Sequence, residues 1–233
     1  MSENLAERKR PIKTKHCHTH NLDYLVCVRY CPECLKWQIN YNRKEYLKEL
    51  DVPTRFVDAT LENYLVENEK QTQIVKDIHF FLESLSKKLN TGLIMIGKTG
   101  TGKTHLCYGI MKKFIKKYPM TGCPKMIKCA ELIRLFKANW QTKQTTEQRI
   151  IDDFSNYKFL IINEIGIQFN SEMEKQYLTE IVDNRYERMY PTILVGNITM
   201  PEITISIGDR IIDRFRQDGK VLAFDWESYR GKS

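Results

Sequence analysis

Hydrophobic residues along this chain follow two rhythms, and the alternation between them outlines a fold. Across residues 68–90 they fall at Ile74, Ile78, Phe81 and Leu85, steps of three and four that predict an amphipathic helix. Leu93-Ile94-Met95-Ile96 is uninterrupted and reads as a strand. Helical segments follow at 105–116, 130–140 (Leu132, Ile133, Phe136, Trp140), 146–154 (Ile150, Ile151, Phe154), 171–189 and 208–216. Short strands fall at 125–129, 158–162, 192–195 and 221–224. Phe159-Leu160-Ile161-Ile162 shows no polar alternation, as expected of a parallel strand covered on both faces. Strands alternating with helices predict a three-layer α/β/α parallel sheet that binds ligands at the carboxyl ends of its strands. Phe136 and Trp140, four apart, read as core residues.

Before residue 51 the rhythm is lost. Residues 1–15 are polar and lysine-rich and read as a mobile arm. Tyr24, Leu25, Val26 and Val28 look strand-like, residues 36–50 look helical, and Pro53 stops that helix. The chain thus divides into a basic N-terminal unit at 1–50, a linker and start of the core at 51–70, and the sheet domain at 71–233.

Composition narrows the class. At 233 residues and 42% hydrophobic, the chain can bury one medium core plus a small appendage. It has no apolar run of membrane-spanning length and no basic-then-apolar leader, so a cytoplasmic protein with no membrane partner is expected. Seven cysteines, an odd number, argue for metal binding or free thiols over a disulfide framework. The net charge of +8 suits a polyanionic partner, and residues 1–48 carry ten Lys and Arg against five acids.

Between the strand at 93–96 and the helix at 105–116 lies Gly97-Lys98-Thr99-Gly100-Thr101-Gly102-Lys103-Thr104, a complete G-x-x-x-x-G-K-[ST] phosphate loop. Glycines let the backbone approach an anion, successive N–H groups line a concavity, and the helix start adds a positive dipole end. Lys103 would reach the β- and γ-phosphates of ATP, and Thr104 would hold Mg²⁺. Gly97 to Thr104, together with His105, are the candidate nucleotide-binding residues.

A second motif precedes the core. Cys17, His20, Cys31 and Cys34 space as C-x2-H, ten residues, C-x2-C, two tight donor pairs that suit a structural, four-coordinate Zn²⁺. His18 and Cys27 are surplus donors able to replace a member of the set.

Hydrolysis needs more than the loop. The strand at 158–162 runs into Asn163-Glu164, where Glu164 can orient or deprotonate water and Asn163 can coordinate Mg²⁺ without adding charge. Asn197 ends another strand and is placed to bond a γ-phosphate or the water. Arg210, Arg214 and Arg216 share one helix and Arg230 lies in the tail; any of them can neutralise transition-state charge, within its subunit or across a boundary.

Phe56-Val57-Asp58-Ala59-Thr60-Leu61-Glu62-Asn63-Tyr64, the phosphate loop, Ile161-Ile162-Asn163-Glu164-Ile165-Gly166-Ile167-Gln168, Asp209-Arg210-Ile211-Ile212-Asp213-Arg214 and Trp226-Glu227-Ser228-Tyr229-Arg230 together resemble the DnaC-type replicative helicase loaders of the AAA+ ATPase class. The resemblance covers about residues 50–233, and the cysteine cluster is similar to the zinc-bearing N-terminal region of some loaders and phage-encoded relatives. It implies Glu164 as the Walker B glutamate, Asn197 as sensor 1, Arg214 as an arginine finger acting on a neighbour's ATP, and Arg230 as a sensor-2-like arginine. That family has Asp where Asn163 stands, which implies slow turnover.

The resemblance also implies partners. The N-terminal region would dock on a hexameric DnaB-type helicase, and copies would associate into an ATP-dependent spiral. The core would grip single-stranded DNA through the basic stretch 125–149, where Lys128, Arg134 and Lys137 are the leading candidates and Lys125, Lys143 and Arg149 accompany them. Two rivals stay open: a transposition helper of the IstB type, with a similar Ser-Tyr-Arg tail, and an ATP-sensing DNA-binding adaptor with negligible turnover.

Overall fold

The computed structural model describes residues 13–26, 28–87, 92–142, 146–166 and 172–230. An antiparallel hairpin, β1 (Thr14–Cys17) and β2 (Leu22–Leu25), leads into α1 (Pro32–Glu49). There follow α2 (Glu69–Ser84), β3 (Gly92–Gly97), α3 (Lys103–Lys117), β4 (Lys125–Lys128), α4 (Cys129–Thr142), α5 (Glu147–Asn156) and β5 (Leu160–Ile165). The chain continues through α6 (Glu172–Glu187), β6 (Thr192–Gly196), α7 (Met200–Ile207), α8 (Asp209–Gln217) and β7 (Gly219–Phe224).

Strands β3 to β7 form one parallel sheet in the order β4-β5-β6-β3-β7. Period-two alternation divides each strand between two buried layers. Ile94, Ile96, Ile162 and Leu194 face α4 to α8, whereas Leu93, Met95, Ile161 and Val195 face α2 and α3. The expected three-layer α/β/α sheet is the observed one.

The structure departs from the periodic reading in several places. The second helix stops at Ser84 and tightens into a short 3-10 turn over Leu85–Lys87. Helix α7 was not expected, because Pro201 and a run of β-branched residues mask its period. Its start was nonetheless written in a capping box, in which the Glu202 carboxylate accepts from the Thr199 N–H at 2.7 Å. In the N-terminal unit Tyr24 and Leu25 are in β2, while Val26 and Val28 lie beyond it.

Helix α1 begins at Pro32 and lies against the core. Asn42 Nδ2 donates to Pro119 O at 2.9 Å, and Arg43 Nη2 to Lys116 O at 2.7 Å. The guanidinium thus meets a carbonyl in the last turn of α3, where the helix dipole favours a cation. Tyr46 and Leu50 join the α2–α3 layer.

Candidate functional site

The phosphate loop turns between β3 and α3. Gly97 and Gly100 have φ of 128° and 81°; an added Cβ would lie 2.1 Å from Phe224 O and 1.9 Å from Ser228 Oγ respectively. Bare backbone is therefore required for the loop to lie against β7 and the tail. Lys98 N–H donates to Phe224 O and Tyr229 N–H to Gly100 O, both at 2.9 Å. Thr101 is fully buried, and its hydroxyl donates to Lys98 O at 2.8 Å.

Lys103 folds back onto its own loop, donating to Gly97 O at 2.9 Å and Lys98 O at 2.6 Å. Burial, together with the nearby positive Arg230, lowers its pKa to about 8. Among the described residues no carboxylate pairs with this ammonium, which neutral oxygens hold; a phosphate would supply the counter-charge.

A cleft of about 490 Å³ opens beside it, at the carboxyl ends of β3, β5 and β6. Thr104, Asn163, Glu164, Asn197 and Arg230 all line it. Asn163 and Glu164 reach it through a β-bulge. Ile162 pairs with Leu194 and Ile165 with Gly196, so two residues of β5 oppose Val195 alone. Such a bulge re-aims side chains, and Glu164 takes φ of 61° there. Glu164 Oε1 also lies 3.1 Å from Lys128 Nζ.

The opposite wall is the segment before α2, which residue chemistry alone had not marked. Phe56, Tyr64 and Arg55 line the cleft. His105 Nε2 lies 2.9 Å from Thr60 O and 3.0 Å from Asn63 Oδ1, while Tyr64 O–H donates to Thr101 O at 2.8 Å. Tyr229 O–H donates to Leu65 O at 2.7 Å, tying the tail to the same wall. His105 thus fastens this wall to α3. Phe56, Thr60, Asn63, Tyr64 and Tyr229 fall inside the two signatures 56–64 and 226–230, which was the available signal, and Arg55 and Leu65 flank the first.

Arg214 is elsewhere. With Gly92 and Thr192, it lines a small hollow at the starts of β3 and β6, so it does not serve the cleft of its own chain. Its Nη1 lies 2.7 Å from Asp183 Oδ1, and its guanidinium is stacked 4.8 Å from the centre of the Tyr186 ring.

Two of the three leading basic candidates are paired with an acid. Besides the Lys128–Glu164 pair, Lys137 lies 2.8 Å from Glu174, and Arg134 lines a hollow of about 130 Å³ with Lys137 and Glu164. Phe136 is buried as expected and stacks on Tyr177 at 4.1 Å. Trp140 is not a core residue: it is 40% exposed, and its indole N–H donates to Glu147. Lys143, Ile167 and Gln168 lie outside the described residues.

The N-terminal donors converge. Cys17, His20, Cys31 and Cys34 present donor atoms that all lie within 4.8 Å of one another. His20 Nδ1 is 3.6, 3.5 and 3.3 Å from the Cys17, Cys31 and Cys34 sulfurs, and Cys17 Sγ is 3.7 Å from Cys34 Sγ. A tetrahedron with Zn–S bonds of about 2.3 Å has edges of about 3.8 Å, so this donor set fits zinc. The hydrogen bond with His20 leads in lowering the Cys17 pKa, while neighbouring Cys31 leads in raising that of Cys34. His18 is exposed and sits edge-on to His16, outside the set; Cys27 is not among the described residues.

A family model described as IstB-like ATP binding protein matches residues 44–233. The chain belongs to this family. It is 31% identical over 176 residues to the replicative helicase loader DnaC of Escherichia coli K12, covering 75% of this chain and 70% of that protein. It is 32% identical over 180 residues to DnaC of Buchnera aphidicola subsp. Baizongia pistaciae, covering 76% and 71%. A crystal structure of the DnaC helicase loader superposes with a TM-score of 0.65 at 19% identity, over 74% of this chain and 100% of that one. The family is described as ATP binding. Among the described residues no helix is long and apolar enough to cross a membrane.

Proposed function

We propose that this protein is an ATP-dependent loader that places a hexameric DnaB-type helicase on single-stranded DNA. The observation that carries the reading is the convergence of Lys103, Thr104, Glu164, Asn197 and Arg230 on one cleft, in a chain related to named helicase loaders. Lys103 would exchange loop carbonyls for β- and γ-phosphate oxygens. Thr104 and Asn163 would hold Mg²⁺, which neutralises phosphate charge when bound. Glu164 would orient the attacking water and draw off its proton, Asn197 would bond the γ-phosphate or that water, and Arg230 would offset charge from within the chain.

The sixth function, a charge from the next copy in a spiral, falls to α8. The resemblance points to Arg214, which would have to leave Asp183 to act. Arg210, on the same helix face, shares that carboxylate but is 69% exposed, so it is the more accessible of the two. The zinc knuckle would order the hairpin and the start of α1 for docking on the helicase. Lys128, Arg134 and Lys137 would contact DNA phosphates.

Co-purification with a replicative helicase, with and without ATP, tests this: capture should require ATP and vanish in Lys103→Ala. Capture of a transposase in its place would favour the transposition helper, a reading the IstB-like family match supports. Asn163 supports the adaptor reading, since a neutral amide at 6% exposure adds no charge beside the metal position. Asn163→Asp should raise turnover several-fold if the loader reading holds. Absence of hydrolysis in both forms, with partner binding still lost in Lys103→Ala, would favour the adaptor.

A further inference from the structure

Asp183, on α6, divides its carboxylate between two arginines of α8. Oδ2 lies 3.0 Å from Arg210 Nη2, and Oδ1 lies 2.7 Å from Arg214 Nη1. The arginines are four residues apart, one helical turn, so a single carboxylate spans both. They differ in access: the Arg214 side chain is 16% exposed and stacked on Tyr186, whereas Arg210 is 69% exposed. The carboxylate itself is 15% exposed. Placing an acid in so dry a position is unfavourable unless it is well paired, and Glu187 nearby adds to that cost.

Holding α8 in place does not call for this acid. Ile211, Ile212 and Phe215 are buried at 0%, 0% and 4% exposure and anchor the opposite face of that helix. The cluster is also remote from its own chain's cleft, beside the starts of β3 and β6. Its remaining effect is on where the two guanidiniums point. A long arginine side chain otherwise samples many rotamers, and a fixed partner removes that freedom before reaction.

We propose that Asp183 is a positioning residue for hydrolysis between copies. It holds Arg214 against Tyr186 and fixes the exposed Arg210 beside it, so that α8 presents an oriented arginine to the nucleotide on a neighbouring copy. This rests on the reading above that copies assemble and that α8 supplies a charge in trans. Nothing is transferred to or from Asp183 itself.

Mixing two full-length variants separates the claims. An acceptor chain, Arg210→Ala with Arg214→Ala, binds ATP but supplies no arginine; a donor chain, Lys103→Ala, supplies arginines but holds no ATP. Their mixture, with single-stranded DNA and helicase, should hydrolyse ATP although neither chain does so alone. Adding Asp183→Asn to the donor should lower that rate roughly ten-fold or more, a part of the about 10³–10⁵ that such an arginine is worth. Adding it to the acceptor should leave the mixture unchanged, and Asp183→Glu in the donor should restore much of the rate. Equal loss from either side would assign Asp183 to folding and overturn the proposal, as would an unimpaired Asp183→Asn donor. Failure of the parent mixture would remove the trans-arginine reading itself, and the proposal with it. Thermal melts of each variant, run beforehand, identify any chain that does not fold; Asp183→Glu then carries the donor comparison.

Discussion

The Lys128 ammonium lies 3.1 Å from the Glu164 carboxylate, so a side chain proposed to meet DNA holds the one proposed to orient water. Both are about half exposed, at 58% and 48%. Exposed pairs of this kind are worth about 0–1 kcal/mol, so a DNA phosphate can displace the carboxylate. Lys128→Ala should therefore raise DNA-free ATPase activity by up to about five-fold, the kinetic equivalent of about 1 kcal/mol. It should also weaken DNA binding and flatten the stimulation by DNA. Steady-state rates with and without single-stranded DNA check this, and a fall in the DNA-free rate would contradict it.

Lys103 should make nucleotide binding depend on pH. Its folded pKa of about 8 lies below the ordinary value of 10.5. Between those values the unfolded chain holds a proton that the folded chain lacks, so this lysine's contribution to stability improves as pH rises through that window. Phosphate would restore the charge. Binding of ATP at pH 9 should accordingly take up a proton, and affinity should weaken above about pH 8. Calorimetry in two buffers of different ionisation enthalpy measures the uptake; identical heats in both would refute it.

Zinc should report on Cys31 in two ways. Its sulfur is a proposed ligand and also accepts the Cys34 N–H at 3.3 Å, capping α1. Cys31→Ser should reduce bound zinc from about one per chain to none, because a structural site needs all four ligands. It should open the hairpin and first turn of α1 to protease while nucleotide binding persists. Metal analysis with limited proteolysis would show it, and a metal-free protein with an ordered hairpin would defeat the zinc assignment.

Arg185 is the structural counterpart of these functional charges. It is fully buried, and its guanidinium donates to the carbonyls of Phe154, Ser155, Tyr157 and Pro191 and to Thr192 Oγ1. Four of these acceptors are backbone oxygens at the end of α5 and the approach to β6. Arg185→Leu should cost about 3 kcal/mol or more, since each orphaned buried acceptor costs about 1–3 kcal/mol. Chemical denaturation measures this, and a loss under about 1 kcal/mol would mean the acceptors find water instead.

What the sequence determined by itself was whatever is local. The phosphate loop needs only a strand, eight residues and a helix in succession, and the two core layers follow from period-two alternation in β3, β5 and β6. The four candidate metal donors were likewise legible, as two pairs each within a single turn, and the structure brings them together. Tertiary structure alone decided the contacts between distant segments: the wall at Phe56 and Tyr64, the tail laid on Gly100, the bulge that sets Glu164 beside Lys128, and the carboxylate of Asp183 between two arginines. Spacing along a chain encodes which face of an element a residue occupies. It does not encode which element packs opposite, and that is where each arginine's partner was chosen.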